Sequence, residues 1–460
     1  MDTAINDNKN RLDEFISNPK RSLWKLALPM MFGMMVHSIY MLTDTYFIGN
    51  LVGNDALSAL GYVFPYMFII LGLTFGLGAG VTAVIARFIG EQSKLKADIA
   101  SGQTILMGIV ISIGIIVFTF FFKEDIFLIQ NADQSVVDLA SGYFNILSNG
   151  AVFLVFSMFI RAILSGEGDN LFPMKVLGIG TVLNIIFDPV FIYYFEQNGR
   201  GIEGAAIATV LSQLISCLIL VYYLVYKKRS YIDFSVRYLK FNYNIIKEIL
   251  AVGVPSSLSM IMMAMGAFIF NLLLNSDSAV AAFNLGSRIE HLFFLPIISI
   301  SSSMVTLVGM FYGAKKFDLI CSTIKYGIKY SLGFSISCLI FFLAVSQYII
   351  PFFTDSAEIT QIAISYFSVV SFSYPFVTIG MTTGRIMQGL GRGTPLLFIT
   401  LIRVILINAP LGWYLRRVLE LPVESVWYCI LFSSVIASSI SIVWMMRIIK
   451  EQENKISSVT

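Results

Sequence analysis

Apolar residues along this chain fall in long runs rather than in alternation. "GQTILMGIVISIGIIVFTFFF" and "GAAIATVLSQLISCLILVYYLVY" carry no charge over lengths that match the roughly 20 residues a helix needs to cross a bilayer. Such runs recur twelve times, predicting spans over 24–48, 55–86, 98–122, 136–163, 172–195, 202–226, 246–274, 278–310, 319–346, 358–388, 395–416 and 423–447. A membrane barrel would show short alternating segments instead. The pattern therefore predicts an all-α polytopic membrane protein with twelve transmembrane helices.

Polar punctuation adds direction and symmetry. Lys20, Arg21, Lys25, Lys94 and Lys96 fall on one set of connections, together with Lys227, Lys228 and Arg229. Lys315, Lys316, Arg447 and Lys450 extend the same set, while the opposite loops are poor in bases apart from "RRVLE" at 416–420. By the positive-inside rule both termini are expected in the cytoplasm. The two halves also repeat. Pro29 of "LALPMMFGMM" pairs with Pro255 of "AVGVPSSLSM". Gly90 pairs with Gly313, Tyr143 with Tyr366, Gly166 with Gly389 and Gly168 with Gly391, all at one offset of 223 residues. Six spans per half is an even number, so the pseudo-twofold axis lies along the membrane normal, the parallel-repeat plan of two lobes around a central cavity. The expected division is a cytoplasmic segment 1–23, an N-lobe 24–226, a cytoplasmic linker 227–245, a C-lobe 246–447 and a cytoplasmic tail 448–460.

Composition agrees and narrows the function classes. Apolar residues make up 57% and charged residues 13%, about half the usual charged share. The net charge of +3 gives no reason to expect a nucleic-acid partner. Four cysteines at unrelated spacings (Cys217, Cys321, Cys338, Cys429) fit packing rather than a disulfide framework or a metal site. With two separated histidines, no nucleophile or metal constellation points to an enzyme.

Charges inside apolar spans cost at least ~2.5–3.5 kcal/mol on insertion scales, so each asks for a role. Asp44 and Asp188 fall ~24–30 Å from the cytoplasmic end of their spans at the helical rise. Asn184 precedes Asp188 by one turn, and Tyr40 precedes Asp44 by one turn. Pro189 frees a backbone carbonyl. Thr209 comes to a similar depth on the next span. Together these offer carboxylate, amide and hydroxyl oxygens, the ligands hard cations prefer. Desolvation and mutual repulsion favour the neutral form of two such acids, so the site reads equally as a proton switch or a Na⁺ site. For Asp44 an interfacial position stays open, since "IGNLVGND" follows closely. In the second half Arg288, Glu290 and His291 lie midway across span 8, with Arg385 and Arg403 on later spans. Glu290 is expected either to pair with Arg288 or Arg403 or to contact a cation in the cavity. Methionines line spans 1 and 7, Met34 and Met263 among them, and Met41 falls in the same stripe. These pack against neighbours or form an adaptable wall for apolar ligands.

"LALPM", "IYMLTDTYFIGNL", "VTAVIARFIGE", "SGEGD", "NIIFDPVFIY", "GAAIATVLSQ" and "VGVPSSL" together resemble the multidrug and toxic compound extrusion (MATE) family over nearly the full length. Spans 7 and 10 hold none of the acids of one family branch, so the chain looks like the DinF-type branch. The resemblance implies a multi-pass antiporter, monomeric, in the cytoplasmic membrane of a prokaryote. It would export organic cations in exchange for H⁺ or Na⁺ and need no cofactor beyond that ion. Asp44 and Asp188 would be coupling acids, Asn184 and Thr209 would complete the cation site, and Tyr40 and Tyr143 would line the N-lobe cavity with Met34, Met263 and Glu290 as further cavity contacts. A lipid-linked flippase of the same two-lobed plan is the alternative.

Overall fold

A computed structural model describes residues 11–130, 134–225 and 230–457. Lys227, Lys228 and Arg229 of the basic linker lie outside the described residues, as do 1–10, 131–133 and 458–460. After a short helix over 11–17, twelve spans follow. They are α1 (Pro19–Leu51), α2 (Asn54–Gly90), α3 (Lys94–Phe122), α4 (Gln134–Asn149 with Ala151–Gly166), α5 (Leu171–Glu196) and α6 (Gly201–Val225). The second set is α7 (Tyr243–Leu274), α8 (Asp277–Gly313), α9 (Phe317–Ile349), α10 (Ala357–Val370 with Tyr374–Gly389), α11 (Thr394 to Val418) and α12 (Ser425–Ser457).

Local sequence accounts for the breaks. With no water in the bilayer core, each backbone N–H must bond within its helix, so irregularities gather where proline or glycine forces them. α4 bends by 47° at Gly150. Its repeat mate α10 breaks at nearly the matching place, through a 3₁₀ turn at Ser371–Ser373. α11 runs π-helical over Ile402–Asn408, just ahead of Pro410. Asn242 caps α7 by accepting from the Ile245 N–H at 3.2 Å, and Ser276 caps α8 through the Ala279 N–H at 3.2 Å. α12 continues to Ser457, so much of the segment expected as a tail is an extension of that helix.

The repeat read from the sequence is a repeat in space. Six helices form each lobe, and the lobes meet where α7 runs along α2 and α1 along α8. A Cβ at Gly90 would lie 2.0 Å from the Met310 carbonyl oxygen, and one at Gly313 would lie 2.1 Å from the Arg87 carbonyl oxygen. These two contacts are exchanged by the same 223-residue offset, so α2 and α8 cross backbone to backbone about the pseudo-twofold. Gly168 (φ 80°) and Gly391 (φ 78°) are a second exchanged pair, each ending a helix in the left-handed region.

Burial divides along the membrane normal. At the end carrying the termini a single core joins both lobes, including Leu23, Val84, Ile249, Leu307, Phe311 and Met387. Thr306 donates to the Ser165 carbonyl at 2.9 Å, Trp24 Nε1 donates to the Tyr326 hydroxyl at 3.1 Å, and Arg87 pairs with Glu248 across the seam. Toward the other end the core splits. One cluster around Phe127, Phe144 and Val155 draws all its buried members from the N-lobe. Another around Phe342, Tyr366 and Trp427 belongs to the C-lobe alone. The lobes are closed together at the termini end and have separate interiors at the other.

The linker is strapped to the N-lobe. Glu167, 1% exposed, accepts from the Ser230 hydroxyl and from the Tyr231 and Ile232 N–H groups at 3.2 and 3.4 Å. Asp98 accepts from the Asp233 N–H at 2.8 Å, and Lys94 donates to the Tyr231 carbonyl at 2.6 Å. Gln103 donates to the Lys240 carbonyl and accepts from the Asn242 N–H, both at 2.9 Å. Burial pushes the Glu167 carboxyl up to about 7, against the opposing pull of the Ser230 hydroxyl, Arg11 and the two backbone N–H groups.

Two outcomes follow from this packing. Gly90→Ala is expected to lower stability by about 1–3 kcal/mol through backbone overpacking. Gly114→Ala, where a Cβ meets nothing within 4 Å, should be neutral or stabilising by up to ~1 kcal/mol; thermal unfolding in detergent compares them. Between the ordinary carboxyl value of 4.5 and about 7, folded Glu167 holds a proton that the unfolded chain releases. Stability contributed by this group therefore falls as pH rises across that window. Glu167→Gln should flatten the pH profile of the melting temperature there, removing a change on the order of 3 kcal/mol.

Candidate functional site

The periodicity of exposure places Asp44. On α1 the exposed apolar residues Phe32, Met35, Ile39 and Tyr46 form one stripe turned to lipid. At 100° per residue Asp44 lies half a turn away from Met35, on the opposite side. It also sits two turns inside the end of α1 at Leu51, ~10 Å deep by helical rise. Its Oδ1 is buried with no hydrogen-bond partner among the described residues.

α5 brings the second acid to the same place. Asp188 is fully buried, and Asn184 is 2% exposed. Asn184 Nδ2 donates to Asp188 Oδ1 at 3.0 Å and to Thr209 Oγ1 of α6 at 3.3 Å. One amide thus ties the two helices. Its own Oδ1, and Asp188 Oδ2, are buried acceptors without a donor among the described residues. Tyr40 of α1 lies against Thr209, and both Tyr40 and Tyr143 are close enough to feel the charges of Asp44 and Asp188. The N-lobe residues singled out in the sequence, Asp44, Asn184, Asp188, Thr209, Tyr40 and Tyr143, come together. A buried acceptor without a donor costs roughly 1–3 kcal/mol, and this cluster holds three. A proton on a carboxyl or a bound monovalent cation would satisfy them. Among the described residues no three His, Cys, Asp or Glu converge as they would for a transition metal.

The C-lobe differs from expectation. Glu290 makes no ion pair with Arg288 or Arg403 among the described residues. It accepts a hydrogen bond from the Tyr366 hydroxyl at 2.6 Å, with Arg403 acting only from a distance. A hydroxyl partner satisfies the carboxylate without desolvating a second charge, which an intramembrane ion pair would require. The signal was available, since Tyr366 is the repeat mate of Tyr143, which faces the N-lobe acids. Met34 is half-buried, and its sulfur accepts from the Ser299 hydroxyl of α8 at 3.7 Å on the seam. Met263 is 49% exposed. It lies away from the exposed stripe of Leu258, Met265 and Leu272 on α7, with Met265 200° around the helix from it. Missed from the sequence was that His37, stacked on Tyr40 of α1, lies within electrostatic reach of Arg161 of the N-lobe and His291 of α8. Three helices far apart in the chain supply these groups, and no local pattern marks them.

A family model described as MatE matches residues 29–190 and 255–414, one stretch in each lobe. The chain belongs to the MatE family. It is accordingly a multi-pass membrane transporter and not an enzyme. Among the relatives of this MatE protein, the probable multidrug resistance protein YoeA of Bacillus subtilis is 25% identical over 421 residues, covering 89% of this chain and 90% of its own. The multidrug export protein MepA of Staphylococcus aureus is 26% identical over 378 residues, covering 81% and 82%. A solved structure described as the outward-facing conformation of a multidrug resistance MATE family transporter of the MOP superfamily superposes with a TM-score of 0.89 at 29% identity, covering 95% of this chain and 97% of its own.

The hydrogen-bond geometry separates structural from chemical roles. Asp188→Asn keeps an acceptor facing Asn184 and should unfold within about 1 kcal/mol of the native chain. Asn184→Leu strands both Asp188 and Thr209 and should cost roughly 1–3 kcal/mol. Thermal unfolding of the two purified variants tests this.

Proposed function

We propose that this MatE protein exports amphipathic organic cations from the cytoplasm of a prokaryote, driven by inward flow of H⁺ or Na⁺ through alternating access. The observation that carries the reading is the trio of buried, donor-less oxygens on Asp44, Asn184 and Asp188, set in the half of the molecule where the lobes have separate interiors. A site that gains a proton or a Na⁺ changes charge without leaving the lobe. Thr209 completes it, and the hydroxyls of Tyr40 and Tyr143 couple it to the cavity wall. Placement of the acids on α1 and α5 agrees with the DinF-like branch.

With the termini in the cytoplasm, the closed end faces inward and the split end outward. An exporter in this state releases cargo, and ion binding at Asp44 and Asp188 lowers the cavity's affinity for a cation. That antagonism is a coupling free energy and is reciprocal: cargo must weaken ion binding by the same factor. Residues 24–226 and 246–447 are the units that rock, as a monomer, with no cofactor beyond the ion. Met263 and Glu290 supply adaptable and polar contacts from the C-lobe side. The flippase reading is not favoured, since YoeA and MepA are named for multidrug resistance and export.

Ethidium efflux from cells matched for membrane expression tests the reading. Asp44→Asn and Asp188→Asn should each lose efflux by at least about tenfold, as expected when a coupling worth roughly 1.4 kcal/mol or more is removed. Varying Na⁺ at fixed pH, then pH without Na⁺, names the ion. Normal efflux by both variants would sink the assignment.

A further inference from the structure

One cavity lies apart from the acids. It is a cleft of about 730 Å³ at the termini end, on the outer flank of the N-lobe, between the helix over 11–17, α1, the α4–α5 turn and α6. One face of α1 forms its wall in order: Arg21, Trp24, Lys25, Leu28, Pro29. These positions recur at i, i+3, i+4, i+7 and i+8, so the cleft is basic at its mouth and becomes apolar as it descends into the spans. Across from it stand Lys175 and the stacked pair Phe172–Tyr223, with centroids 3.6 Å apart. Leu28 is 42% and Leu171 53% exposed, so the apolar end opens sideways toward lipid.

Charge at the mouth is unbalanced. Four cations line the cleft, and two acids face them. Both acids are already engaged: Glu14 pairs with Lys25 at 2.6 Å, while Asp169 takes Arg11 at 3.5 Å, the Tyr223 hydroxyl and the Phe172 N–H, both at 3.2 Å. Arg21 and Lys175 have no carboxylate within ion-pair distance among the described residues. Arg11 Nη1 is buried with no acceptor among the described residues. A donor buried without a partner in a roomy, positively charged cleft calls for an anionic acceptor.

We propose that this cleft seats the headgroup of an anionic phospholipid of the cytoplasmic leaflet, with the phosphate on Arg21, Lys175 and Arg11 and the start of the acyl chains along Leu28, Pro29 and Leu171. Basic pockets beside transmembrane helices at this depth hold such headgroups through charge and hydrogen bonds. Arg presents its donors in a fork that matches phosphate. The occupant bridges the N-terminal helix to α1 and α5, and so braces the flank of the N-lobe.

Native mass spectrometry of the detergent-purified protein, given equal phosphatidylglycerol and phosphatidylcholine, reads the site. The native chain should retain phosphatidylglycerol selectively. Arg21→Gln/Lys175→Gln, both exposed positions that leave the core intact, should lower that retention by about tenfold or more, two charges being removed. Lys315→Gln/Lys316→Gln removes the same charge elsewhere at the termini end and should retain it. Equal loss in both double variants would reduce the effect to general surface charge and overturn the proposal, as would undiminished retention in the first. Displacement of the lipid by glycerol phosphate at equal concentration would show that phosphate alone is read, and would overturn the lipid assignment.

Discussion

The crossing of α2 and α8 is the constraint on which the rest depends. Two backbones touch only where neither carries a side chain, and Gly90 and Gly313 supply that on both helices. The contact is its own mate under the pseudo-twofold, so a single steric rule fixes the angle of the lobes once and applies twice. A core shared by both lobes then packs at the termini end, including Phe311 and Leu307 from one lobe with Val84 and Leu23 from the other. Without that close approach the aromatic and aliphatic side chains of the seam could not reach one another.

Holding one end shut frees the other to do chemistry. The outer halves carry their own cores, so each lobe can keep polar groups inside without borrowing partners from its neighbour. The N-lobe uses this to bury Asp188, tied through the Asn184 amide to Thr209, close to Asp44, and the C-lobe to bury one acid on a tyrosine hydroxyl. Symmetry of backbone is thus combined with asymmetry of charge. The repeat fixes where a polar group can stand, and the sequence of each half decides which kind stands there.

Much of this was legible in the sequence because the signals were local or periodic. Span lengths follow from apolar runs, and the common offset of 223 residues paired Gly90 with Gly313 before any contact was known. Asp44 and Asp188 stood out because a carboxyl in an apolar run has no cheap explanation. What escaped was decided by contacts between distant segments. The Tyr366–Glu290 bond joins residues 76 apart, and the hold of Glu167 on Ser230 joins residues 63 apart.

The strapped linker has a mechanical consequence. Between Ser230 and Asn242 the chain is fastened at both ends and along its middle to α3 and to the turn after α4. It is not a loose tether of a dozen residues but part of the N-lobe's surface, and α7 begins immediately where the last fastening ends. The two lobes are therefore joined covalently by a path of almost no slack, and the chain passes from one to the other at the Asn242 cap.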